Sequence, residues 1–418
     1  MKTLAALALL ACLSGCAGAK EESRAPTPSA RGLGARVLSG LDVLERENFE
    51  TLRGRRVGLI TNHTGKDAAG RSTVEVLGRA PGVTLAVLFS PEHGFAGAVE
   101  DENITASSYT LDGRAIPIVS LYSGGIRGMR PKQEDLEGLD ALVFDIQDIG
   151  ARFYTYLATM GMALEEAAKA NIEFVVLDRP NPINGVTMEG PLLDDLNLRK
   201  VTSTAYFAVP VRHGMTPGEI ARMHNAEIHG RLAVVPLRGW KREMWYDETG
   251  LPWIAPSPNM PDLEAATMYP GIGIFEASNL SVGRGTPWPF RWVGAPWLDA
   301  ERVAGELNAA LLDGVTFSVQ DYTPTKSVFK GEKCRGVKMT ITDRDRLRPL
   351  SVFLKLQESI RRAHPKEFVF QWNGLHHMTG TTEFQRLLES GADPLQERQL
   401  FEQGPELFEK TRKPFLLY

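Results

Sequence analysis

The sequence predicts an α/β fold, with a doubly wound, Rossmann-like domain followed by a smaller α+β domain. The runs at 57–61, 83–89, 141–146 and 174–178 are short and apolar on both faces. Such runs suit strands of a parallel sheet covered by helices on each side. Segments of helical period lie between them, and strand, helix, strand in repeated order marks a doubly wound sheet. Ligands gather outside the carboxyl ends of such sheets. The polar motifs fall there: Thr61-Asn62-His63-Thr64, Ser90-Pro91-Glu92-His93-Gly94, Asp145-Ile146-Gln147-Asp148 and Asp178-Arg179-Pro180-Asn181 each follow a predicted strand.

Taken in order, a helix is expected at 72–77 and a longer one at 156–170. The longer one offers Leu157, Met160, Ala163, Leu164 and Ala167 for burial, with Glu165, Glu166 and Lys169 toward water. A helix at 217–228, capped by Thr216, and a strand at 232–237 continue the pattern. The stretch 240–297 carries six of the seven tryptophans with many Pro and Gly, and is expected to form long loops shaping a cleft. Regular structure returns after residue 299, with helices at 300–312 and 350–363, a strand at 336–341, and short helices at 383–390 and 395–402. The predicted domains are 38–240 and 241–418.

The first 37 residues read differently. Lys2 precedes an apolar core at 4–13, and Leu13-Ser14-Gly15-Cys16 closes it. That core is too short to span a bilayer and has a signal peptide's layout. Residues 1–15 are therefore expected to be removed as a lipoprotein signal, with lipidation of Cys16. Each buried acyl methylene adds about 0.8 kcal/mol, so two or more chains hold durably. Ala17 follows, with no aspartate to suggest inner-membrane retention, so the expected location is the periplasmic face of the outer membrane. Residues 16–37, small, charged and Pro-containing, read as a flexible tether. A net charge of −4 gives no basic footprint and argues against nucleic acid as a partner. Beyond Cys16 the only cysteine is Cys334, which excludes an internal disulfide and a cysteine-rich zinc site.

Glu92, between Pro91 and Gly94 at a strand end, is the sharpest chemical signal. A partly desolvated carboxyl on a tight turn can act as a general acid, and His93 beside it suits a supporting role. Alternation places Asp145 and Gln147 on one face, leaving Asp148 to pair with Arg152. Tyr154 and Tyr156 can hydrogen-bond to or stack on a sugar ring. Asn62 and Asn181 sit in strand-end turns, and Glu189-Gly190-Pro191 follows the latter. The loop from Glu276 to Thr286 brings a second carboxylate, Asn279, and Arg284 between two glycines. A guanidinium there suits an anionic ligand, since it binds carboxylate bidentately. Other chemistries lack their signatures. His376-His377 is not spaced for one helical face, Gly124-Gly125 lacks a P-loop lysine, and neither a dinucleotide fingerprint nor a Gly-x-Ser-x-Gly elbow is present. No metal and no cofactor are expected.

Several motifs together carry a resemblance. They are Gly-Leu-Ile-Thr-Asn at 58–62, Ser-Pro-Glu-His-Gly-Phe at 90–95, Phe-Asp-Ile-Gln-Asp-Ile-Gly-Ala-Arg-Phe-Tyr-Thr-Tyr at 144–156, Asp-Arg-Pro-Asn-Pro at 178–182 and Glu-Gly-Pro at 189–191. From about residue 38 onward the chain resembles the exo-β-N-acetylmuramidase family (NamZ type, glycoside hydrolase family 171). The resemblance implies a cleft between a Rossmann-like and a smaller domain. It also implies release of N-acetylmuramic acid from the non-reducing end of peptidoglycan-derived muropeptides or disaccharides. It maps the catalytic glutamate onto Glu92, with Glu189, Glu276 and Asp145 open as the second carboxylate. Arg152 or Arg284 would meet the lactyl carboxylate, and tryptophans of 240–297 the N-acetyl group. Carboxyls about 5–5.5 Å apart would indicate retention and about 6.5–9.5 Å inversion, and participation by the substrate's acetamide is a third route. The competing class is a non-catalytic periplasmic glycan- or solute-binding lipoprotein using the same cleft. An amidase or esterase would need the metal cluster or nucleophile elbow that is missing.

Replacing Cys16 with alanine is expected to leave an unlipidated protein, unprocessed or soluble on membrane fractionation. Wild-type protein found in the cytoplasm with an intact N-terminus would end the export reading.

Overall fold

Both faces of the central strands are buried, and that organises the fold. β1 (Arg56–Thr61) pairs in parallel with β2 (Thr84–Ser90) on one side and β5 (Ala141–Asp145) on the other. Side chains then alternate between two apolar layers. Val57, Leu59, Ala141, Val143, Val175 and Leu177 enter one, while Ile60, Leu142, Phe144, Phe174 and Val176 enter the other. The computed structural model describes residues 36–92, 94, 108–122 and 125–418. The signal, most of the tether, and His93 lie outside the described residues.

The sheet grows outward from β1 in both directions. β4 (Arg114–Ser120) and the antiparallel edge strand β3 (Ser108–Leu111) lie beyond β2, and β6 (Glu173–Leu177) and β9 (Leu232–Val235) beyond β5, giving the order β3-β4-β2-β1-β5-β6-β9. Helices α1 (Gly40–Arg46) and α2 (Thr73–Gly78) cover the first layer, and α3 (Tyr156–Lys169) and α4 (Pro217–Ile228) the second. Local chemistry starts three of them. Ser39 with Asp42, Ser72 with Glu75 and Thr216 with Glu219 form reciprocal capping boxes at the starts of α1, α2 and α4.

The remainder is built around antiparallel pairs. β7 (Glu189–Leu192) and β8 (Pro210–Arg212) form a ribbon, crossed by α10 (Pro394–Arg412). A Cβ on Gly404 of α10 would lie 2.4 Å from the Gly190 carbonyl oxygen, so only glycine permits that approach. β10 (Trp292–Ala295), β11 (Val315–Tyr322) and β12 (Cys334–Ile341) form a second sheet, with β12 in the middle. Helices α5 (Leu263–Ile272), α6 (Ala300–Ala309), α7 (Pro349–Ala363), α8 (Trp372–Thr379) and α9 (Glu383–Ser390) complete this part. One apolar cluster runs from Ile60 in β1 to Phe408 in α10, so both parts share a core.

The differences from the sequence expectations have physical causes. Within the stretch expected to be loops, α5 is a buried helix capped by Asp262, whose carboxylate accepts the Ala265 N–H at 3.0 Å. It is buried from Ala265 to Ile272, so it shows no amphipathic period, and Pro270 near its end removes one intrahelical N–H donor. α10 continues past Gly404-Pro405, where the sequence suggested a stop. The edge hairpin β3–β4 turns at Asp112-Gly113, both with positive φ. This is a favoured hairpin pair whose second strand is disguised by Pro117.

Tyr418 closes the far side of the sheet. Its hydroxyl donates to Asp178 Oδ2 at 2.6 Å and accepts the Leu237 N–H at 2.8 Å, while its ring meets Trp240 edge-on. Asp178, at the end of β6, also accepts from Thr216 Oγ1 and Gly218 N, each at 2.8 Å. Burial pushes the Asp178 carboxyl up to about 6, against the pull of these hydrogen bonds. A native pKa above the unfolded value means that this group's contribution is full below the unfolded pKa and fades as pH rises through about 6. Tyr418→Phe keeps the ring but strands a backbone N–H. It should cost about 1–3 kcal/mol in urea unfolding and raise the Asp178 pKa further, read by carboxyl NMR titration.

Candidate active site

A cavity of about 470 Å³ opens at the carboxyl ends of the strands, within the range of small-molecule sites, about 300–1,000 Å³. Glu92, just past β2, and residues 153–156, leading into α3, form one side. Ser257, Met260, Tyr269 of α5, Glu276, Arg284 and Phe290 form the other, with Lys326, Ser327 and Met378 at the edge.

Glu92 is held at both oxygens. The Tyr122 hydroxyl donates to Oε1 at 2.9 Å, and Thr155 Oγ1 contacts Oε2 closely. Tyr122 follows β4 and Thr155 precedes α3, so two further strand-end segments fix the carboxyl. Aromatic rings wall the space beside it. Tyr154 meets Tyr156 at 5.0 Å and Tyr269 at 6.0 Å, and Tyr269 meets Phe290 at 4.6 Å, all edge-on. Burial raises the pKa of Tyr154, Tyr156 and Tyr269, so these phenols stay protonated and serve as hydrogen-bonding groups. Tyr156 donates to the Pro256 carbonyl at 2.7 Å. The Tyr154 hydroxyl, buried beside Ser257, has no partner of good hydrogen-bond geometry among the described residues, whereas buried polar groups are normally paired.

Opposite, Arg284 clasps Glu276 in a two-point ion pair, with Nη2 to Oε2 at 2.9 Å and Nε close to Oε1. Its guanidinium lies 5.2 Å over the Phe290 ring. Two carboxylates and two cations, Glu92, Glu276, Arg284 and Lys326, are thus the charged groups lining the cavity among the described residues.

Other residues singled out from the sequence do not line this cavity. Asp145 is fully buried, accepting from Thr73 Oγ1 at 2.5 Å and from Arg179 Nε and Nη2 at 2.5 and 2.9 Å. Gln147 ties to the carbonyls of Asp148 and Pro180, and Asn62 accepts from the N–H and hydroxyl of Thr64. Asn181 donates to the Met215 carbonyl, accepts the Ile183 N–H, and fits against Gly150, whose φ of +86° leaves no room for a Cβ there. Asn279 clamps the 367–369 segment through the Glu367 carbonyl and the Val369 N–H.

Arg152 does not pair with Asp148. It is buried and donates to the carbonyls of Pro191, Val209 and Met378, while Asp148 accepts the Gly150 N–H and faces His213. Desolvation brings Arg152 down to about 9, so it remains charged at neutral pH inside a cage of backbone oxygens. Of the two arginines considered for a substrate carboxylate, only Arg284 faces the cavity. The tryptophans of 240–297 do not line it either: Trp240, Trp245 and Trp292 are core residues and Trp288 is exposed. The aromatic lining comes instead from Phe153, Tyr154, Tyr156, Tyr269 and Phe290.

Comparison with known proteins identifies the family. The model for the N-terminal part of the exo-β-N-acetylmuramidase NamZ matches residues 57–264, and that for the C-terminal part residues 267–418. The chain belongs to the NamZ family. It is 38% identical over 388 residues to the peptidoglycan β-N-acetylmuramidase NamZ of Bacillus subtilis strain 168, covering 92% of both proteins. Two solved structures of DUF1343 family proteins from Bacteroides fragilis share the two-part α/β architecture. One is 35% identical with a TM-score of 0.83 and the other 27% identical with 0.72, each covering 92% of this chain and 99% of the other.

Within this NamZ-family fold, Glu189 has a different setting from Glu92. It is buried on β7, receives Arg212 Nη1 at 2.9 Å, and accepts the Leu350 N–H at the start of α7 at 3.2 Å. Burial raises its pKa against the pull of Arg212. The pair fastens α7 to the β7–β8 ribbon. Glu189→Ala would leave Arg212 buried without its counter-charge, and a loss of about 3–5 kcal/mol in denaturant unfolding is expected.

Proposed function

We propose that this chain is an exo-acting glycoside hydrolase that releases N-acetylmuramic acid from the non-reducing end of peptidoglycan fragments, with Glu92 as its general acid. Family membership supports the reaction class. The observation that supports the residue is the placement of Glu92 in an aromatic-walled cavity, its carboxyl fixed by Tyr122 and Thr155. Hydroxyls both donate and accept, so the same two partners serve the acid before and after proton transfer. Glu92 would give its proton to the glycosidic oxygen as the bond to the anomeric carbon breaks, and one water then adds its hydroxyl to that carbon and returns a proton to the enzyme.

Among the described residues, Glu276 is the second carboxylate of the same cavity. It is assigned to the charge developing at the anomeric carbon, with Arg284 fixing its orientation. Asp145 and Glu189, each locked to a buried arginine, are left out of the chemistry. The Leu13-Ser14-Gly15-Cys16 motif supports export as a lipoprotein facing the periplasm, where peptidoglycan fragments arise.

Glu92→Gln keeps shape and hydrogen bonding but removes the transferable proton. Its kcat on a natural muramyl disaccharide should fall about 10²–10⁴-fold. Loss on 4-nitrophenyl β-N-acetylmuraminide should be smaller, because nitrophenolate leaves without protonation. Near-normal turnover of the disaccharide would move the acid role elsewhere.

A further inference from the structure

We propose that the Tyr269 hydroxyl reads the 2-acetamido group of the substrate sugar by donating to its carbonyl oxygen, and so makes the N-acetyl group a requirement of the site. The proposal rests on the muramidase reading above. The tryptophans of 240–297 do not line the cavity, but Tyr269, carried by α5 in the same stretch, does.

Packing fixes the ring. Phe153 meets it at 5.2 Å, Tyr154 at 6.0 Å and Phe290 at 4.6 Å, each edge-on. Gly273, one turn further on, leaves the ring its space: a Cβ there would fall 3.1 Å from Tyr269 Cε2 and 3.0 Å from Phe153 Cε2. Tyr269 is 6% exposed and sits on a buried helix. Backbone and ring therefore hold one geometry, as a pre-organised contact requires.

The hydroxyl is uncommitted to the protein. Tyr156 spends its own on the Pro256 carbonyl, and that of Tyr154 is sealed beside Ser257. Among the described residues none hydrogen-bonds the Tyr269 hydroxyl, and it is not one of the sealed polar atoms, so it opens on the cavity. Burial keeps the phenol protonated, and of the charges acting on it Glu276 is the strongest, ahead of Arg284 and Glu92. It is thus a neutral donor within the field of both cavity carboxylates.

A donor so placed meets the atoms next to the anomeric carbon. On one side is the ring oxygen, which gains positive charge as the glycosidic bond breaks, and an O–H aimed there would oppose reaction. On the other side, C2 carries the acetamide. Its carbonyl is a good acceptor, and its methyl suits apolar lining such as Met260. The ammonium of a de-N-acetylated sugar has no lone pair to accept with. It would leave the phenol without a partner, the mismatch that polar sites reject most strongly.

The test combines turnover of 4-nitrophenyl β-N-acetylmuraminide with inhibition of that reaction by free N-acetylmuramic acid and by muramic acid, its 2-amino counterpart. Wild type should bind the N-acetyl sugar about tenfold or more tightly than the amine. Tyr269→Phe keeps the ring and its packing. It should lower kcat/KM about tenfold and weaken inhibition by N-acetylmuramic acid by a similar factor, with less than a twofold change for muramic acid. The Tm of the free variant should stay within about 1 °C of wild type, since no hydrogen bond within the protein is lost. An unchanged ratio between the two inhibitors, or equal losses for both with a fall in Tm, would overturn this proposal alone. A wild type that neither hydrolyses the muraminide nor binds N-acetylmuramic acid would overturn the muramidase reading, and this proposal with it.

Discussion

A buried ion pair sits where the sheet changes its direction of growth. Asp145 ends β5 and Arg179 follows β6, and the two meet with almost no solvent exposure. The same carboxylate accepts Thr73 at the start of α2, while Arg179 also reaches the Lys66 carbonyl after β1. Three strand-end loops are thus drawn into one polar knot. Removing one partner of such a pair costs about 3–5 kcal/mol, because the other is left charged and unsolvated. With this crevice filled by protein, the open space is displaced toward β2 and the start of α3, where Glu92 stands.

The division of labour among the carboxylates follows from burial. Asp145, Asp178 and Glu189 are enclosed, each tied to arginine, hydroxyl or backbone donors that fix a junction between elements. Glu92 and Glu276 face the cavity, and their partners come from loops that reach it. Partners that complete a structural junction satisfy a carboxylate fully. Those at the cavity hold it in place and leave one side for a ligand.

Much of the sheet was legible because its strands are apolar on both faces and its helices carry capping pairs such as Ser72–Glu75. The strand-end position of Glu92 and the glycine-flanked Arg284 were also visible. The selection among carboxylates was not. Arg212 lies 23 residues from Glu189, and Leu350 lies 161 residues away, so no local pattern announces their meeting. Tyr122 escaped notice because Pro117 masks the strand before it, whereas Thr155 lay inside a motif already singled out. α5 was hidden by burial on all sides, which erases the period that reveals a helix. Lys326 had no signal of its own, since only the fold brings it to the cavity.

The apolar cluster that runs from β1 to α10 has an evolutionary consequence. The family's two matched regions, 57–264 and 267–418, both contribute to it, and α7 is fastened to the β7–β8 ribbon through Glu189. Neither half can therefore be traded like a bead on a string. A gene encoding the first alone would produce a chain with an open oily flank, and a graft of the second onto a foreign sheet would find no matching seat.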